Sequence, residues 1–183
     1  MTTIYFIRHA HSTYTPDEYN RPLSEDGKRE ASKLVHVFES ITVDAMYASN
    51  YARAYETIEP IATQKGLVIQ KEEQLNERVL STTPIEDFQK GIQKVWSDPT
   101  FAFPGGESNL DAQKRVRPII ELLLTCYPTE TIIIGTHGNI LTLLLNDFDN
   151  TYGLAFWESL KMPDIVKAVF EEGKIISVKK LAY

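Results

Sequence analysis

Short runs of β-branched and aromatic residues alternate with amphipathic stretches along this chain, and that alternation leaves few folds open. Thr3–Ile7, Val43–Ala48, Leu67–Glu72 and Thr131–Gly135 read as short strands, the last of them (Thr-Ile-Ile-Ile-Gly) apolar throughout as a buried strand must be. Helices are predicted between them. Ser24 is placed to cap the first, with Glu25 and Asp26 in its opening turn and Ala31, Leu34, Val35 and Phe38 on one face. Ser49 or Asn50 can cap a second helix that runs to about Lys65 and stops at Gly66. A third is expected around Ile85–Trp96, with Pro84 near its start and Pro99 beyond its end. Another follows the loop Pro104–Ser108 and ends near Tyr127, before Pro128. After the Thr131–Gly135 strand come a polar tip, Thr136–Asn139, and an apolar helix, Ile140–Leu145. An amphipathic piece near Thr151–Lys161 leads to two alternating strands, Ile165–Phe170 and Ile175–Lys180, with a hairpin turn at Glu172-Gly173.

Strands interleaved with helices imply an α/β layered domain with a mainly parallel central sheet, to which the final hairpin adds an antiparallel edge. No linker-like segment divides residues 1–183, so one domain is expected, with a small variable cap region around residues 79–103. Trp96, Phe101 and Phe103 in that region are expected to pack. The net charge of −6 argues against a general nucleic-acid binder, so any anion must be held by a local cluster of cations. A single cysteine, Cys126, leaves no disulfide framework and no cysteine-rich zinc site. The chain opens directly on a strand-like run, and no apolar stretch approaches a membrane span. A cytoplasmic protein without a membrane partner is the expectation; its oligomeric state is open.

In open α/β sheets, ligands bind beyond the carboxyl ends of the strands. The first strand exits into Arg8-His9-Ala10-His11, the second into Ser49 and then Arg53, the third into Leu75-Asn76-Glu77-Arg78, and the Thr131–Gly135 strand into Thr136-His137-Gly138-Asn139. A shared rim would bring together His9, His137, Arg8, Arg53 and Glu77. Phosphoryl transfer suits such a set, because its catalysis is mostly positioning and electrostatic stabilisation. Arginine presents a planar fork to phosphoryl oxygens. A neutral imidazole can serve as nucleophile, and a carboxyl group can protonate the leaving oxygen. Taken singly, each residue has a plainer reading: a histidine at a strand end caps backbone, Arg53 pairs with Glu56, and Glu77 is a solvated charge. Their joint occurrence at four strand exits is what favours chemistry.

These residues resemble the signatures of the histidine phosphatase family, with its phosphoglycerate mutase-like fold. The carrying motifs are Ile7–Ser12 (IRHAHS), Ser49–Thr57 (SNYARAYET), Leu75–Arg78 (LNER) and Ile132–Asn139 (IIIGTHGN), with Asn20–Ala31 (NRPLSEDGKREA) and Pro104–Ser108 (PGGES) in support. The resemblance implies a three-layer α/β/α sandwich with a mainly parallel sheet and an antiparallel edge strand. It implies His9 as the phospho-accepting nucleophile, with Arg8, Arg53 and His137 holding the phosphoryl group and Glu77 as proton donor. Thr15, Gly138 and Asn139 would add substrate contacts. No metal or other cofactor is implied, and the partner would be a small phosphorylated substrate.

Two departures stand out. Ala10 replaces the glycine usual after the nucleophile, and His11 replaces a frequent Glu or Gln. The expected function is a metal-independent phosphomonoester hydrolase acting through phosphohistidine on a small metabolite, with a bell-shaped pH profile that falls before pH 9. The other readings are a phosphoglycerate mutase-type phosphotransferase, a non-catalytic phosphate-binding protein, and a metal site built on His9-x-His11. The substrate stays open among sugar phosphates, phosphoglycerates, nucleotide phosphates and phosphoproteins.

Overall fold

The computed structural model describes residues 1–183. The elements, in chain order, are β1 (Thr2–Arg8), α1 (Glu25–Phe38), β2 (Ala45–Ala48), α2 (Ala52–Lys65), β3 (Ile69–Lys71), α3 (Phe88–Ser97), α4 (Asn109–Cys126), β4 (Thr131–Thr136), α5 (Gly138–Phe148), α6 (Leu154–Ser159), β5 (Asp164–Glu171) and β6 (Lys174–Leu181), with a 3₁₀ turn at Glu73–Leu75. The six strands form one sheet in the order β3-β2-β4-β1-β5-β6. β1, β2, β3 and β4 run parallel, and β5 and β6 add an antiparallel edge. This is the α/β architecture that the alternation implied.

Side chains on a strand point alternately to opposite faces, and the isoleucines of β4 divide accordingly. Ile132 and Ile134 join Ile4 and Phe6 of β1 in a core closed by α4 and α5. Ile133 joins Tyr5 and Ile7 in a second core closed by α1 and α2. The sheet is thus covered on both faces, which is why β4 is apolar throughout. No helix is long and apolar enough to cross a membrane.

Several ends differ from the sequence reading. β2 starts at Ala45 because Asp44 turns its side chain to the Thr131 amide, 2.8 Å away. β3 is confined to Ile69–Lys71. α3 starts at Phe88, where Asp87 caps it by accepting from the Lys90 amide. The α2 cap position falls on Tyr51, which makes no side-chain cap bond; Ser49 is engaged elsewhere. The Ser24 cap forms as expected, accepting from Gly27 N at 3.0 Å. Gly27 is required there, since a Cβ would lie 2.0 Å from the carbonyl oxygen of His11. Glu172 and Gly173 both adopt positive φ, the geometry of a tight hairpin turn. Trp96 packs on the first core, and Phe101 meets Phe103 edge to face.

Candidate active site

β1 and β4 are adjacent and parallel, with Arg8 opposite Thr136. His9 and His137 therefore leave the sheet side by side. The His9 amide donates to Thr136 O at 3.0 Å, and the two imidazole centroids lie 5.2 Å apart. Both rings are buried. The shared rim that the sequence required is present.

His9 Nδ1 lies 2.8 Å from the carbonyl oxygen of Ala10. A carbonyl only accepts, so Nδ1 carries the proton and Nε2 of the neutral ring keeps its lone pair. Burial pushes the His9 imidazole down to about 3, with the charges of Arg53, Arg8 and Arg21 adding to the effect and the Ala10 bond opposing it. His137 is held well below its ordinary value, first by burial and then by His9 and the same three arginines. Its Nε2 meets Ser49 Oγ at 2.7 Å, and its Nδ1 has no partner.

Arg8 ends β1 and donates from Nη1 to Leu160 O at 2.7 Å. Arg53 sits in the first turn of α2, its guanidinium 4.7 Å from the Tyr51 ring centroid. That ring also packs against His137 and against Tyr19. Arg53 Nη1 donates to Glu18 O, and its Nη2 faces the Glu18 carboxylate at 3.2 Å. The other Glu18 oxygen lies 3.1 Å from Arg21 Nη1. Nε of Arg8, Arg21 and Arg53 is in each case buried without a partner. Unpartnered buried donors are costly and rare. These three arginine donors, with the unpartnered His137 Nδ1 beside them, belong to residues grouped around His9, a setting made for an anion.

Glu77 reaches the same rim. Its Oε1 accepts from Ile140 N at 2.8 Å and from Arg78 N at 2.9 Å, and its Oε2 accepts from Asn139 N at 3.0 Å. It thereby caps α5, whose own N-cap residue His137 makes no side-chain cap bond. Beside Glu77 lies a cavity of about 170 Å³ lined by Tyr19, Tyr51, Glu73, Asn76, Glu107 and Arg115.

The remaining expected residues are placed differently. The Thr15 hydroxyl donates to Asp17 O at 3.0 Å within its own loop. The Asn139 amide is taken by Glu77, and its side-chain oxygen faces Arg78 Nη2. Gly138 lies against Arg8; a Cβ there would be 3.0 Å from Arg8 Nε and 3.3 Å from Trp157 Nε1. Ala10 is fully buried with Leu23 and Ala31, and its amide donates to Thr57 Oγ1 at 2.9 Å. His11 is exposed and turns Nδ1 to Ser24 Oγ, 2.8 Å away. His9 and His11 are held by different partners, and no three His, Cys, Asp or Glu side chains are grouped to hold a metal ion.

Sequence reasoning missed Arg21, Glu18 and Ser49 as members of this site. Arg21 lies in the Asn20–Ala31 motif, and Glu18 just before it. Ser49 was read as a helix cap. Only the folded loop shows that they face Arg53 and His137.

Comparison with known proteins identifies the family. Residues 4–178 match the histidine phosphatase superfamily (branch 1). The chain belongs to that superfamily. It is 28% identical over 154 residues to phosphoserine phosphatase 1 of Hydrogenobacter thermophilus, covering 75% of this chain and 71% of the relative. It is 25% identical over 158 residues to glucosyl-3-phosphoglycerate phosphatase of Mycobacterium tuberculosis, with the same coverage of 75% and 71%. The phosphoglycerate mutase structure from Bacillus anthracis superposes with a TM-score of 0.78 at 17% identity, over 98% of this chain and 92% of that one, which establishes the phosphoglycerate mutase-like fold. These relationships support a phosphatase acting on a small metabolite.

Proposed function

We propose that this chain is a metal-independent phosphomonoester hydrolase that works through a phosphohistidine on His9. The observation that carries the reading is the pairing of a neutral, correctly tautomeric His9 with unpartnered donors on the residues around it. A substrate phosphoryl group would take those donors: Nε of Arg8 and Arg53 and Nδ1 of His137. His9 Nε2 then attacks phosphorus. The N–P bond forms as the ester P–O bond breaks, and the proton of Glu77 goes to the departing oxygen. In the second step water attacks phosphorus, the N–P bond breaks, and the Glu77 carboxylate takes the water's proton. Free phosphate and the starting enzyme result.

Developing charge on the transferring group is met by fixed cations in a buried setting, where electrostatic stabilisation is strongest. The local arginines overcome the overall charge of −6. The small cavity beside Glu77 suits the compact leaving group of a small-metabolite phosphate ester. The named activities of the two phosphatase relatives support that class of substrate.

The test is hydrolysis of a panel of phosphomonoesters in EDTA by wild type and His9→Ala. Turnover should resist EDTA and fall at least about 10⁴-fold in the variant, as for loss of other catalytic nucleophiles. Rapid quench with labelled substrate should leave acid-labile phosphate on the wild type alone. Full activity in His9→Ala would overturn the reading.

A further inference from the structure

Glu18 places a carboxylate on the arginines that the proposed phosphoryl site needs. One oxygen lies 3.2 Å from Arg53 Nη2 and the other 3.1 Å from Arg21 Nη1. The side chain of Arg53 is 3% exposed, whereas that of Glu18 is 49% exposed. The loop that carries Glu18 is fixed without its side chain. Asp17 Oδ1 accepts from the amides of Tyr19 and Asn20, and Tyr19 O accepts from Ala52 N. The Glu18 carboxylate can therefore turn out to solvent while the backbone stays in place. Its carbonyl keeps Arg53 Nη1 at 3.0 Å throughout, so the guanidinium remains aimed.

Nε and Nη2 share one edge of a guanidinium, the fork that grips an oxyanion in two places. On Arg53 the Nε of that edge is unpartnered and the Nη2 is occupied by Glu18. A phosphoryl dianion needs both and would repel a carboxylate beside it. An ion pair with one exposed partner is weak enough to yield.

We propose that Glu18 is an internal competitor for the phosphoryl group, a latch that occupies Arg53 and Arg21 in the free protein and swings away when a phosphomonoester binds. The opening also frees Arg21, adding a further cation to the bound phosphate. Glu18 is then a specificity-determining residue that weakens binding of phosphate and of other anions too feeble to displace it.

The inference rests on the phosphoryl-site reading, and the experiment separates the two. Binding of inorganic phosphate and orthovanadate to the full chain is measured by calorimetry for wild type, Glu18→Gln and Glu18→Ala, alongside steady-state kinetics. Glutamine keeps the size and a hydrogen bond to arginine while removing the charge. Glu18→Gln should bind both oxyanions about three- to tenfold tighter, the scale of removing one nearby like charge at a protein surface. KM should fall by a similar factor, with kcat moving far less. Were Glu18 only a brace for Arg53, both variants would bind more weakly, alanine more so, and the latch would be overturned with the phosphoryl site intact. Unchanged affinity in a binding-competent wild type would overturn it equally. A wild type that binds neither oxyanion and turns over no ester would remove both readings.

Discussion

Ser49 Oγ lies 2.7 Å from His137 Nε2, the one hydrogen bond made by that buried ring. The same oxygen sits 3.2 Å from the Tyr51 amide, which donates to it. With its hydroxyl proton aimed at Nε2, Ser49 would set the ring proton on Nδ1, the tautomer that the proposed phosphoryl contact of His137 requires. Ser49→Ala should lower kcat/KM about tenfold, the scale of one buried hydrogen bond left unmade. Steady-state kinetics on the best substrate would show it, and unaltered kinetics would mean that His137 is oriented by packing alone.

Buried histidines make stability depend on pH in a definite direction. Burial pushes His9 down to about 3 and His137 well below its ordinary value, whereas both titrate near 6.5 once unfolded. Between about pH 3 and 6.5 the unfolded chain binds protons that the folded chain refuses, so stability is full above about pH 7 and falls as pH drops. Each histidine contributes a slope approaching about 1.4 kcal/mol per pH unit in that window. Urea unfolding of wild type and His9→Asn at several pH values should show a shallower dependence in the variant. Parallel curves would contradict the buried, neutral His9. The same burial moves the acid limb of the expected bell-shaped activity profile below the mildly acidic range.

Glu77→Gln keeps one acceptor oxygen, so only one of the two backbone amides, Asn139 on Oε2 or Ile140 on Oε1, stays paired, and it has no acidic proton to give. Alkyl phosphates, whose leaving groups need protonation, should lose about 10²–10⁴-fold in kcat, the range of general acid catalysis. A nitrophenyl phosphate, with a good leaving group, should lose far less. Equal losses for both would assign Glu77 to binding or helix capping instead of proton transfer.

Two small residues at the rim should respond in opposite ways. Gly138→Ala drives a methyl group to 3.0 Å from Arg8 Nε, so KM and the vanadate dissociation constant should rise with modest loss of stability. Ala10→Gly removes a methyl that packs with Leu23 and Ala31. It should cost about 1 kcal/mol of stability, from lost packing and a looser unfolded chain, and leave turnover nearly intact. A large gain in activity from Ala10→Gly would show instead that the alanine methyl crowds the phosphate.

Much of this was legible in the chain because the strands are short and strongly apolar and the chemical residues follow them directly. Arg8, His9 and His137 could be placed at one rim from β1 and β4 alone. Glu77 was found by its motif, but its role in capping α5 was not readable, because the partners lie beyond β4 in sequence. Glu18 was invisible as a site residue: nothing local distinguishes it from a solvated loop charge, and only the fold of the loop over α2 brings it to Arg53. Ser49 looked like a helix cap because serine before a helix usually is one. A buried imidazole without any other partner drew its hydroxyl away.

The register of β1 against β4 ties activity to the completion of folding. Arg8, His9, Arg53 and Glu77 all precede Thr131, yet a nascent or truncated chain ending before β4 has no second histidine, no α5 for Glu77 to cap, and no central strand between β1 and β2. Pairing between such distant segments is the slow part of assembling a sheet. Turnover regained after dilution from denaturant should therefore lag behind helix formation and rise with closure of the sheet, making catalysis a clock for the last step of folding.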